Sequence, residues 1–186
     1  VIFDEIQSGF GRTGKLFAYE HYDVEADLVC CGKGISSGLP LSAVLGRKEL
    51  IDVDPSLNST HGGNPICCAA TLASLEVLQD ENLISESARK GLLLEKELIK
   101  IKNKYEDRIE IFGKGLVYAI HVKKSGTKEY DVEIVDRIIE KSMQKGVLLI
   151  RTGTGTIKIG PPLTIFDDAL LEGVSVIDES ISECFS

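Results

Sequence analysis

The chain has 186 residues, 43% hydrophobic and 27% charged, enough for one ordinary domain or two small ones with real cores and too apolar for disorder. Against 29 acidic residues stand 21 basic ones, so a net charge of −8 and a pI near 5.0 argue against nucleic acid or an anionic membrane as partner. Trp is absent, no apolar run approaches the roughly 20 residues of a membrane span, and no secretory signal pattern is expected at the start.

In chain order, Val1–Phe3 reads as a strand, Ala26–Cys31 as a second and Ser42–Leu45 as a third. Short continuous apolar runs of this kind fit parallel strands covered on both faces. Pro65 to Leu78 reads as a helix, with proline at its start and apolar residues at Leu72, Leu75 and Leu78. These elements suggest half of an α/β domain. Residue 1 is Val and opens what looks like the middle of a buried strand, so the chain is expected to be a fragment lacking an upstream half. A second part starts near residue 80. Leu94, Leu98, Ile101 and Tyr105 share one helical face. Ile109–Phe112 and Leu116–Val122 read as strands around the turn Gly113-Lys114-Gly115. Val132–Lys145 is an amphipathic helix with Ile134, Val135, Ile138 and Ile139 inward. Val147–Ile150 and Ile157–Ile159 follow as short strands. Leu170, Val174, Ile177, Ile181 and Cys184 recur every three or four residues and mark a final helix. The domain boundaries expected are therefore 1–80 and 81–186.

The five cysteines form two adjacent pairs, Cys30-Cys31 and Cys67-Cys68, plus Cys184. That pattern suits neither a disulfide framework nor a zinc site, so small buried residues in a reducing cytoplasm, and no metal, are expected.

Gly9, Gly11 and Gly14 spell G-x-G-x-x-G after a strand, the pattern of a dinucleotide-binding turn. Its context argues otherwise. Asp4 to Ser8 separate the strand from the first glycine, and the next strand ends in Gly32-Lys33-Gly34 where a ribose-binding acid belongs. The same stretch offers different chemistry. Asp4 stands at the carboxyl end of a strand, the edge where open α/β sheets bind ligands, and the second strand delivers Lys33 to that edge. A lysine there can serve as a nucleophile, and a carboxylate can partner a protonated ring nitrogen. Pyridoxal phosphate uses both. Read on their own, the two residues suit an ion pair or unrelated surface charges better than a cofactor site.

The wider sequence resembles the class III aminotransferases of the ornithine/4-aminobutyrate type. The resemblance rests on D-E-I-Q-S-G-F-G-R-T-G at 4–14, the lysine of C-C-G-K-G at 30–34, T-H-G-G-N-P at 60–65 and I-K-I-G-P-P-L-T-I at 157–165, in the family's order and over essentially the whole chain. It implies an α/β, fold-type I, pyridoxal-phosphate-dependent enzyme that works as a cytoplasmic homodimer with a shared active site. The chain would supply the second half of the large parallel/mixed-sheet domain and the small C-terminal α/β domain. By the same resemblance Asp4 would pair with the pyridinium nitrogen and Ile6, where the family usually has Val, would pack on the ring. Gln7 would bond near the phenolic oxygen, Lys33 would form the Schiff base and shuttle the proton, and Thr60 would reach the phosphate from the neighbouring subunit. Residues 9–14 would be a structural turn and active-site loop. Lys158 stands where the family often has an arginine that grips a substrate carboxylate; it keeps the charge but loses the bidentate fork, and a solvated strand lysine with no ligand is the other reading. His61 replaces a frequent aromatic residue and, like His21 and His121, is given no catalytic role.

The expected activity is transfer of an amino group from an amino acid or ω-amino acid to a 2-oxo acid. Racemase, epimerase or aminomutase chemistry of the same family is one alternative, and an inactive truncated structural fragment is another.

Overall fold

The computed structural model describes residues 1–54, 56 and 58–185 and divides the chain into two compact units, Val1–Ala88 and Arg89–Ser186. In the first, β1 (Ile2–Asp4), β2 (Leu28–Cys31) and β3 (Ala43–Gly46) form a sheet in the order β1-β2-β3. β1 and β2 are parallel, with Phe3 opposite Val29 and Asp4 opposite Cys30. β3 departs from the expected parallel arrangement: it pairs antiparallel with β2, Val29 opposite Leu45, and its Val44 and Leu45 are exposed. The connection explains this, because residues 32–42 hold only a short 3₁₀ turn, whereas a parallel return needs about a dozen residues or more and usually a helix.

A short helix, α1 (Lys48–Ile51), and a long one, α2 (Pro65–Asp80), follow. Asn64 starts α2 by accepting the Ile66 N–H at 2.9 Å, and Pro65 occupies the first turn, where its missing N–H costs nothing. The boundary between the units falls within α3 (Leu83–Lys104).

The second unit is a four-stranded antiparallel sheet with helices. β4 (Ile109–Lys114), β5 (Val117–Val122), β6 (Ile150–Thr152) and β7 (Thr156–Ile159) lie in the order β4-β5-β7-β6. α4 (Val132–Gln144) and α5 (Asp167–Phe185) complete it. The helical stripes read from the sequence are its core. Leu94, Leu98 and Ile101 of α3, Val135 and Ile138 of α4, and all five periodic positions of α5 are buried together with Ile120, Val122 and Ile157 of the sheet. β6 begins later than expected, at Ile150 rather than Val147. Its register is set by the hairpin around Gly153-Thr154-Gly155, which pairs Thr152 with Thr156 and Ile150 with Lys158; Leu148 lies before the ladder and is exposed.

All five cysteines are free thiols. Cys31, Cys67 and Cys184 are buried and Cys30 is half-buried, but Cys68 is exposed, contrary to the expectation for small core residues. Among the described residues no helix is long and apolar enough to cross a membrane, and no cluster of three His, Cys, Asp or Glu side chains is placed to hold a metal.

Candidate active site

Parallel pairing brings the carboxyl ends of β1 and β2 to one edge of the first unit's sheet. The ladder runs one step past Asp4, where the Glu5 N–H donates to the Cys30 carbonyl at 2.9 Å. Asp4 is exposed there. Its Oδ1 accepts the Ile6 N–H at 3.1 Å, an Asx turn that fixes the carboxylate at the strand end, and Oδ2 has no hydrogen-bond partner among the described residues.

Lys33 leaves β2 on the same edge. Its backbone is left-handed (φ 45°), a conformation that costs a lysine about 1–3 kcal/mol and is held by what surrounds it. Gly32 is buried beneath Ile6, and a Cβ at Gly32 would lie 3.2 Å from Ile6 Cγ2. On the other side the Ile35 N–H donates to the Gly32 carbonyl at 3.1 Å, and Ile35 is buried. The chain therefore turns tightly, and the lysine side chain emerges into solvent with its Nζ donating to Gln7 Oε1 at 3.4 Å. Asp4, Ile6, Gln7 and Lys33 thus share one sheet edge. No ion pair joins Asp4 to Lys33 among the described residues, so the two charges do not neutralise each other in direct contact.

The glycine motif proves to be scaffold. The Gly9 N–H donates to the Glu5 carbonyl at 2.9 Å, the Gly11 N–H to Leu16 at 3.2 Å and the Gly14 N–H to Gly11 at 3.0 Å. A phosphate cradle needs such amides free and convergent, and here all three are engaged within the loop. Phe10 packs edge-on against Phe17, Phe17 stacks on Tyr19, and Tyr19 meets Phe3. Ser87 Oγ donates to the Arg12 carbonyl at 3.3 Å and ties the loop to the start of α3.

Sequence reasoning passed over Glu5. Its side chain is only 1% exposed, yet it accepts hydrogen bonds from the Ser8 hydroxyl and, at 2.8 Å, from the Tyr19 N–H. A carboxylate with a serine three residues on, inside a glycine-rich loop, was the available signal. Burial also pushes the neighbouring Cys31 thiol above its ordinary value, with the charges of Cys30 and Glu5 adding to the effect, which disfavours the thiolate.

Two predicted residues lie elsewhere. Thr60 is exposed in the turn before α2 and has no hydrogen bond to Lys33, Gln7 or Asp4 among the described residues. Lys158 belongs to the second unit. It is half-buried in β7 between Ala119 and Ile150, beside a cavity of about 430 Å³ whose walls include Leu94, Leu148, Pro161, Pro162 and Ile177.

The model of the family described as "Aminotransferase class-III" matches residues 1–181. The chain is 37% identical over 187 residues to a 4-aminobutyrate aminotransferase of Mycobacterium leprae (strain TN), covering 98% of this chain and 42% of that protein. It is 36% identical over 183 residues to a leucine/methionine racemase of Thermococcus litoralis, covering 97% and 41%. The crystal structure of an acetylornithine aminotransferase from Elizabethkingia anophelis superposes with a TM-score of 0.87 at 37% identity, over 98% of this chain and 45% of that one. The chain spans less than half the length of each of these relatives. With the matched family model running through both units and the mixed α/β fold shared with solved transaminases, the chain belongs to the class III aminotransferase family.

Proposed function

We propose that this chain carries the cofactor-anchoring part of a pyridoxal-phosphate-dependent aminotransferase that moves an amino group from an amino acid or ω-amino acid to a 2-oxo acid. The observation that carries the reading is the approach of Lys33 Nζ to Gln7 Oε1, 3.4 Å, on the same strand edge as the Asp4 carboxylate. These groups suit the cofactor chemically: an accessible primary amine, a carboxylate with a free oxygen, an amide and an apolar face. When bound, the cofactor supplies an aldehyde for covalent attachment and a ring that withdraws electrons from the substrate carbon. Lys33 is the point of attachment and, once released, takes and returns the proton at that carbon. Asp4 keeps a ring nitrogen protonated by placing a negative charge beside it. Ile6 presents its apolar side chain to the ring, and Gln7 orients the lysine and bonds next to the attachment point. Thr60, apart from this cluster in one chain, is assigned to the phosphate of a neighbouring subunit in a homodimer with shared sites. Lys158 is assigned to a substrate carboxylate. The free thiols support a reducing, cytoplasmic setting.

Racemisation is the second reading, favoured by the racemase among the similar proteins. The same lysine would return the proton to the substrate carbon with inversion, and no oxo acid would be needed.

The test is to incubate the chain with pyridoxal phosphate, reduce with borohydride and map the modified peptide by mass spectrometry. Label concentrated on Lys33 is expected; label scattered over exposed lysines would overturn the assignment. In the complete protein, conversion of bound cofactor to its amine form by an amino donor alone identifies a transaminase. Deuterium uptake at the α-carbon with inversion, without an oxo acid, identifies a racemase.

A further inference from the structure

Glu5 is the most deeply buried carboxylate of the first unit, and every hydrogen-bonding group it has is engaged. Its N–H donates to the Cys30 carbonyl at 2.9 Å and its carbonyl accepts the Gly9 N–H at 2.9 Å. Of its carboxylate oxygens, Oε2 accepts the Ser8 hydroxyl and Oε1 accepts the Tyr19 N–H at 2.8 Å. One residue therefore closes three connections: β1 to β2, the strand end to the glycine turn, and the turn to the aromatic segment at 17–19. Ile6 and Gln7 lie between Glu5 and Ser8, so the carboxylate–hydroxyl contact brackets the two residues that meet Gly32 and Lys33. A buried carboxylate is costly unless its oxygens are satisfied, and here the donors that satisfy it are those of the loop itself. Its burial and the loop's closed form thus require each other.

We infer that Glu5 is a positioning residue: through Ser8 and Tyr19 it locks the 5–19 loop so that Gln7 Oε1 stays within reach of Lys33 Nζ. Glu5 touches neither reacting atoms nor the lysine. It acts through Gln7. The inference rests on the assignment of Lys33 and Gln7 to the cofactor site, but its test uses no cofactor, so failure of the label to reach Lys33 is a separate result.

The experiment is competitive acetylation of the 186-residue chain with trace acetic anhydride at one fixed pH, read by mass spectrometry as the rate at the Lys33 peptide relative to that at the exposed Lys48. Gln7→Ala is expected to raise the relative rate at Lys33 at least about twofold, because the amine loses the acceptor that holds it. Glu5→Ala is expected to change it in the same direction, and the double variant no further than Gln7→Ala alone, since both changes remove one contact. Glu5→Gln keeps an acceptor for the Tyr19 N–H and is expected to restore most of the wild-type rate. Ser8→Ala loosens the bracket without altering Glu5, so it carries the test if Glu5→Ala does not fold, and it is expected to give a smaller rise. The inference is overturned if Gln7→Ala leaves the Lys33 rate unmoved. It is likewise overturned if the Glu5 and Ser8 variants leave that rate unmoved while Gln7→Ala changes it, or if the Glu5 and Gln7 effects add.

Discussion

Gly14 holds a left-handed backbone (φ 85°), and a Cβ there would lie 2.9 Å from both Cα and Cβ of Ala88. Gly14→Ala therefore meets two penalties together, backbone strain and a collision with backbone that cannot swing aside. A loss of about 2–3 kcal/mol is expected from urea unfolding, and an unchanged unfolding midpoint would contradict it. Lys33 shares the unusual backbone sign without glycine's freedom (φ 45°), and its neighbours Gly32 and Ile35 hold it so. The glycines of 9–14 announced themselves in the sequence as a turn. What they adjoin, a buried glutamate and a row of aromatic contacts, did not, because the hydrogen bond from the Tyr19 N–H back to Glu5 links positions that no short-range pattern connects.

At the scale of elements, α4 and α5 are joined by ion pairs as well as by their buried stripes. Glu183 accepts from Lys141 and Lys145, each at 2.8 Å, and these bonds hold its carboxyl well below the usual carboxylate range, down to about 2. Its folded value is depressed, so its contribution to stability is complete above its ordinary value of 4.5 and is lost as pH falls from there through about 2. Thermal unfolding of wild type and Glu183→Gln should differ at pH 7, differ less as pH falls below 4.5 and converge only below about pH 2; a constant difference would refute the linkage. Salt should narrow the gap at neutral pH, because the pairs are exposed. The stripes themselves were readable at 3.6-residue spacing. The cross-helix partners were not, since Lys145 and Glu183 are brought together only by packing.

For the whole molecule, the distribution of apolar residues is uneven. The second unit encloses a continuous core, whereas α2 buries only Cys67 and Leu78 and leaves Ile66 72% and Leu72 62% exposed. β3 adds Val44 and Leu45 to the exposed apolar surface of the first unit. Surface of this kind drives association. The chain is expected to scatter light as species heavier than its 20.2 kDa, and Leu72→Lys to reduce that association without lowering the unfolding midpoint of the monomer. Equal scattering by both variants would show that α2 is not the sticky face.

The sequence by itself determined the motifs that mark the family and the periodicities that build helices. Asp4 and Lys33 stand at the ends of apolar runs, the motifs occur in the family's order, and the stripes of α3, α4 and α5 repeat at helical spacing, because these signals are local and written in neighbouring residues. Tertiary structure alone decided the rest. It turned β3 antiparallel through a connection too short for a crossover and slid β6 onto the 153–155 hairpin. It also engaged the amides of Gly9, Gly11 and Gly14 within their own loop, buried Glu5 among donors of that loop and brought Gln7 within reach of Lys33. Each of these depends on pairings between distant segments, whose register is set by which surfaces can be buried together.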